Sequence, residues 1–163
     1  MLKSLLDWLC RVVMLIIMLS MAVIVGSISA QVFWRYVLND SLVWPEEVSR
    51  YVFIWACCLG MSVGVRRGDL IAIDVLWVGR PKRVRLIVAI VARLLAVPLL
   101  VVFIWQGWVL MEVVVGQLTA STRVPVGWVY LALPVSCILA LLFLLEVLAS
   151  DIGELLSFKE VPR

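Results

Sequence analysis

Four long apolar stretches, parted by short clusters of charge, set the pattern of this chain. The first runs from Val12 to Phe33, 22 residues without a charge, and at about 1.5 Å per residue it spans a hydrocarbon layer about 30 Å thick. A cleaved signal peptide is the competing reading, with Lys3 and Arg11 as its basic region and Ile28-Ser29-Ala30 as a cleavage site. The run is longer than a signal core and Ile28 is bulky where a small residue is wanted, so a retained helix is expected. The uncharged stretch Tyr51 to Val65 is only 15 residues, too short to cross. Pro45 suits a first helical turn, and Glu46 and Glu47 then sit where the helix dipole favours anions, which moves the start back and gives a span of 45–65. The third run gives 86–110, with Arg93 and Pro98 inside it, and the fourth gives 127–148, with Pro134 in its first third. Charge and proline are both tolerated in a membrane helix when neighbours satisfy them. The expected fold is an all-α integral membrane protein with four transmembrane helices and amphipathic interfacial segments, forming one membrane domain over 1–163.

Basic residues orient the spans. Lys3, Arg11, Arg66, Arg67, Arg80, Lys82, Arg83, Arg85, Lys159 and Arg163 fall on one side, against Arg35, Arg50 and Arg123 on the other. Ten against three puts both termini and the second loop in the cytoplasm. That loop, 68–85, mixes Leu70, Ile71, Ile73, Leu76 and Trp77 with Asp69, Asp74, Arg80 and Lys82, which reads either as an interfacial amphipathic segment or as a plain charged loop. In the first reading Trp77 lies at headgroup depth, and Arg66, Arg67, Arg80, Lys82, Arg83 and Arg85 meet anionic lipid.

Composition then removes several chemistries. At 65% hydrophobic residues the chain lies outside soluble usage, and a net charge of +3 in 163 residues is too small to point to nucleic acid. There is no histidine, which takes away the commonest general base and the commonest ligand of transition metals. Cys10, Cys57, Cys58 and Cys137 show no CxxC spacing, and apolar filling is the expected role. No enzyme site, metal or cofactor is expected.

Ionisable residues are scarce in the spans. For Arg93, about 10 Å deep by helical rise, three placements stay open: snorkelling to the cytoplasmic surface, a pair with Glu146 on the antiparallel fourth helix, or a contact with a partner subunit. Two stripes of small residues recur every four positions, Ala22, Gly26 and Ala30 in the first helix and Ala56, Gly60 and Gly64 in the second. Such spacing lets helices approach closely, within the chain or against a partner. Glu46 lies about 40° from Gly60 around the helix. Glu46 and Glu47 stand four and three residues before Arg50, so a local ion pair would also explain them.

The series Arg35-Tyr36-Val37-Leu38-Asn39, then Trp44-Pro45-Glu46-Glu47, Arg50, Trp55, Gly60 and Arg66-Arg67-Gly68 resembles the Q-type small membrane subunit of tripartite ATP-independent periplasmic (TRAP) transporters. Order and spacing match over about forty residues, and the four-helix frame over the whole chain. One departure is Leu70, where the family often has histidine two residues after that glycine. The resemblance implies a bacterial inner-membrane system. In it a periplasmic solute-binding protein captures an organic acid, a large membrane subunit moves it with sodium, and the small subunit is part of the rigid scaffold without binding substrate. On this reading Trp44, Glu46, Glu47, Arg50, Ala56, Gly60 and Gly64 are expected at the contact with the large subunit.

Two other classes fit less well. A free-standing small exporter of cations needs a membrane-embedded carboxylate, and the first apolar run has none. A membrane anchor of a redox complex usually supplies histidines to haem, and this chain has none to supply.

Overall fold

The computed structural model describes residues 2–40, 42–68, 82–119 and 121–157. They form α1 (Leu2–Val37), α2 (Trp44–Arg67), α3 (Lys82–Val114), the single turn α4 (Gly127–Tyr130) and α5 (Ala132–Ser157). The four membrane-crossing helices expected from the apolar runs are present, as Ser4–Val37, Trp44–Arg67, Leu86–Val114 and Gly127–Leu155. Each is longer than its uncharged run. Helical hydrogen bonds continue past the hydrocarbon layer as long as the flanking residues tolerate helix, and Asp7, Arg11 and Asp151 do. Of the second loop, Gly68 closes α2 and Lys82 to Arg85 open α3, while residues 69–81, Trp77 and Arg80 included, lie outside the described residues.

Local chemistry sets the ends of α2. Pro45 stands in its first turn with Glu46 and Glu47, and Arg66 and Arg67 stand in its last, so both dipole ends face compensating charge. Gly68 then takes a left-handed conformation, φ 76°, and donates its N–H to the Val65 carbonyl at 3.3 Å, a turn that costs a side-chain-bearing residue more. The fourth span is broken at Leu131 between α4 and α5. Pro134 has no N–H to offer the Tyr130 carbonyl, so the span breaks at Leu131 and α5 restarts at Ala132 with Pro134 in its first turn.

The helices lie in a row: α1 packs on α2, α2 on α5, and α5 on α3. α5, the second inner helix, is the most buried of the four. Leu6, Cys10 and Val13 of α1, spaced four and three apart, meet Leu59 and Val63 of α2 and Phe143 of α5 in one core. Leu100 of α3 meets Cys137, Ala140 and Leu144 of α5 in another. Beyond Val13 most of α1 is exposed, including Leu15, Met18, Leu19, Val25 and Phe33, as is most of α3. Hydroxyls inside the spans are satisfied locally: Ser20, Ser27, Ser49 and Ser136 each donate to the carbonyl four residues back.

Two glycines outside the expected stripes admit a close approach. A Cβ on Gly107 of α3 would stand 3.0 Å from Pro134 Cδ, and one on Gly127 would stand 3.0 Å from Val115 Cα. At Gly26 and Gly60 a Cβ would meet nothing within 4 Å.

Candidate functional site

The end of α2 that carries Trp44 is where charge, loop and open surface come together. Glu47 is buried. Its Oε2 accepts hydrogen bonds from the Ser121 N–H at 3.1 Å, the Thr122 N–H at 2.8 Å and the Thr122 hydroxyl at 3.2 Å, while Oε1 accepts from the Tyr51 hydroxyl at 2.9 Å. Ionised acceptors make the stronger kind of hydrogen bond, so one carboxylate holds the loop between α3 and α4 onto α2. The loop is itself a small hairpin. Thr119 N–H donates to the Val124 carbonyl at 3.0 Å, Val126 N–H to the Gln117 carbonyl at 2.9 Å, and the Thr119 hydroxyl accepts from the Val124 N–H at 2.9 Å. Arg123 turns it with φ 53°.

The neighbouring carboxylate behaves differently. Glu46 is exposed, and no ion pair joins it to Arg50 among the described residues. Nor does Glu47 pair with Arg50, whose guanidinium lies over the Tyr51 ring, 5.5 Å from its centroid. The local ion pairs expected from spacing are therefore replaced by a long-range clasp. Glu46, Arg50, Phe53, Cys57 and Met61 form a continuous exposed stripe along α2, with Gly60 beside it and Trp44 exposed at its head. Ala56, by contrast, is buried, and Gly60 and Gly64 are both half-buried. The three small residues expected to share one surface diverge: four-residue steps turn 40° each, and the stripe winds from the core to the open face. In α1 Ala22 and Gly26 are exposed and Ala30 half-buried. Between α1 and α2 a groove of about 560 Å³ is lined by Ile24, Ile28, Gln31, Glu46, Ser49, Arg50 and Phe53.

At the opposite end two arginines grip α5 from either side. Arg66 donates through Nε to Glu146 Oε2 at 2.9 Å and through Nη2 to Glu146 Oε1 at 3.1 Å and Asp7 Oδ1 at 2.7 Å, with its guanidinium over the Phe143 ring. It thereby joins α1, α2 and α5, and it faces protein where lipid was expected. Arg67 is exposed and reaches the Met14 sulfur. Arg93 pairs with Asp151. The pair with Glu146 considered for it does not form, because five residues of α5 turn through 500° and leave Glu146 and Asp151 140° apart, one toward α2 and the other toward α3. Lys82, Arg83 and Arg85 lie in the first turn of α3.

Among the described residues no three His, Cys, Asp or Glu side chains stand close enough to hold a metal, and all four cysteines are free. What the arrangement offers is a pinned row of helices with one charged, open stripe. The family model of the tripartite ATP-independent periplasmic transporters, DctQ component, matches residues 24–154. The chain belongs to this family.

Among relatives of this DctQ component, the sialic acid TRAP transporter permease protein SiaT of Haemophilus influenzae (strain 86-028NP) is 30% identical over 116 residues, covering 71% of the chain and 19% of that protein. The isethionate TRAP transporter permease protein DctMQ of Oleidesulfovibrio alaskensis is 29% identical over 140 residues, covering 81% of the chain and 22% of that protein. The C4-dicarboxylate TRAP transporter small permease protein DctQ of Vibrio cholerae is 35% identical over 82 residues, covering 48% and 35%. The chain thus matches about a fifth to a third of the length of these relatives. With four helices long and apolar enough to cross a membrane, this member of the family is a multi-pass inner-membrane protein.

Proposed function

We propose that this DctQ component is a non-transporting scaffold, which joins a large TRAP membrane subunit and supports sodium-coupled uptake of an organic acid delivered by a periplasmic solute-binding protein. The reading includes no enzymatic step. The observation that carries it is the exposed stripe Glu46, Arg50, Phe53, Cys57, Met61 with Gly60, on the least apolar of the four spans. Two charges and an open glycine suit a protein neighbour better than lipid tails, since acyl chains offer the charges no partner and small residues admit a second helix backbone. The relatives add support: SiaT and DctMQ are permease proteins in which the matched region is a minor part of a longer chain, as expected if a small unit works beside a large one.

The same stripe extends the contact to Trp44, while Glu47, Ala56 and Gly64 act from behind it by fixing the helix in place. Arg67, exposed at the other end of α2, meets lipid headgroups, together with the basic residues that open α3.

The deciding experiment is detergent co-purification of the chain with a large TRAP membrane subunit, followed by uptake in sodium-loaded liposomes, for Gly60→Leu and Glu46→Gln at matched expression. Glu46 makes no ion pair among the described residues and a Cβ at Gly60 meets nothing within 4 Å, so the isolated variants should unfold at or above the wild-type temperature while pull-down and uptake both fall. Wild-type values in both assays would remove α2 from the interface.

A further inference from the structure

Beside the stripe, on the flank of α2 that faces α4 and α5, lies a separate cavity of about 450 Å³. Its wall changes character along the helix. At the Trp44 end stand Arg50, Tyr51 and Tyr130, with Val126 and Val129 beside them; further in stand Ile54, Cys58 and Leu133. From Arg50 to Cys58 is eight residues of α2, about 12 Å of depth along the helix axis. Trp44, Trp128 and Tyr130 are exposed at the same end, the arrangement that places aromatic side chains at headgroup level. No carboxylate pairs with Arg50 among the described residues, and its guanidinium is held over the Tyr51 ring at the rim. The Tyr51 hydroxyl is already committed to Glu47.

From this order, a cation at headgroup depth followed inward by an apolar cleft, we infer that the cavity holds a phospholipid, with the phosphate on Arg50 and one acyl chain along Ile54, Cys58 and Leu133. A soluble anion would use only the rim and leave the apolar length wet. A phospholipid has the same sequence of charge and hydrocarbon along the membrane normal as the cavity wall. Arg50 suits phosphate better than lysine would, because its planar fork presents two parallel donors. The inference does not depend on the scaffold reading, since the cavity is formed by this chain alone.

Native mass spectrometry of the full chain, delipidated in detergent and titrated with dioleoyl-phosphatidylglycerol, tests it. The wild type should retain one lipid under activation that strips the rest. Arg50→Gln should lower that retained fraction roughly tenfold, the loss expected for a charge-assisted hydrogen bond, and Arg50→Lys should recover part of it. Leu133→Trp, which fills the apolar end, should lower retention as well, whereas Arg123→Gln on the exposed loop should leave it unchanged. Equal retention by wild type and Arg50→Gln would overturn the inference. So would a complex with the large subunit that lacks the lipid the free chain binds, because the cavity would then be a seat for that subunit.

Discussion

Glu47 and Glu46 are adjacent in sequence and share a helical turn, yet their substitutions should read out in different places. Glu47 accepts four hydrogen bonds, three of them from Ser121 and Thr122. Glu47→Ala removes the acceptor and leaves two backbone N–H groups of the hairpin with no protein partner, which favours local opening. Hydrogen exchange at Ser121, Thr122 and Val124 should accelerate well before global unfolding, while exchange in α1 stays at the wild-type rate. Unchanged exchange in the hairpin would show that the loop holds itself. Sequence pattern could place Glu47 in the first turn of α2 but could not show its partners, because they lie 74 and 75 residues away and no local period connects them. The polar run Thr119 to Thr122 was the available signal: four small polar or neutral residues between apolar helices can supply the backbone donors a buried carboxylate needs. Arg93 is a similar case, in which the depth of the charge was legible from its position in the run and the identity of its partner was not, since that depended on which side of α5 faces α3.

At the scale of the elements, the glycines separate contacts that exist within the chain from surface left open. Gly107 touches Pro134 and Leu133 across the α3–α5 interface, where an added Cβ would lie 3.0 and 3.3 Å from side-chain carbons. Pro134 is fully buried and rigid, so the helices must move apart. Gly107→Ala should therefore destabilise the chain by about 1–3 kcal/mol, seen as a lower thermal midpoint in detergent. Gly60→Ala should have the opposite sign. With nothing within 4 Å, it gains helix propensity of about 0.5–1 kcal/mol and loses no contact. Equal shifts in the two variants would contradict the packing described for α3 and α5. The four-residue spacing that makes Ala56, Gly60 and Gly64 conspicuous marks a possible approach between helices without saying which neighbour makes it. Gly107 stands in no such repeat, and its role becomes visible only once Pro134 is placed opposite.

The ionic grip on α5 extends the same logic to a whole helix. Arg66 binds α1 and α5 to α2, and Arg93 binds α3 to α5. In a bilayer such charges are retained in pairs because an isolated one is costly. Arg66→Met leaves Glu146, whose side chain is only 15% exposed, without its cation. The expected cost is about 2 kcal/mol, of the order of lost hydrogen bonds to charged groups, and Arg66→Met combined with Glu146→Leu should recover much of it. A double variant no more stable than the single one would mean that Asp7 is the partner that matters.

For the molecule as a whole, the number of spanning helices was legible because about 20 consecutive apolar residues have few other uses, and the order of the row was not. Nothing in the sequence says that α5 lies between α2 and α3. That order follows from Arg66 and Arg93 reaching α5 from opposite sides and from Gly107 admitting Pro134. It brings Asp7, near the start of the described chain, and Glu146 and Asp151, near its end, to the same face as Arg66. The start of α1 and the end of α5 therefore lie at the same end of the bundle, and the basic residues predict which side of the membrane that is. Lys82, Arg83 and Arg85 open α3 on that side, whereas Arg123 stands alone on the hairpin opposite. Clustered Lys and Arg within a few residues of the span ends hold a loop in the cytoplasm. A reporter that fluoresces only in the cytoplasm should therefore be active when fused after Arg163 and silent when inserted between Arg123 and Val124, and a reporter active only in the periplasm should give the reverse. Matching signals at the two positions would contradict the single crossing between them, Gly127–Leu155, and the packing of the row. Signals that differ but are inverted would leave the fold intact and turn the Glu47 clasp, the Glu46 stripe and the Arg50 cavity to the cytoplasmic surface, out of reach of any periplasmic partner.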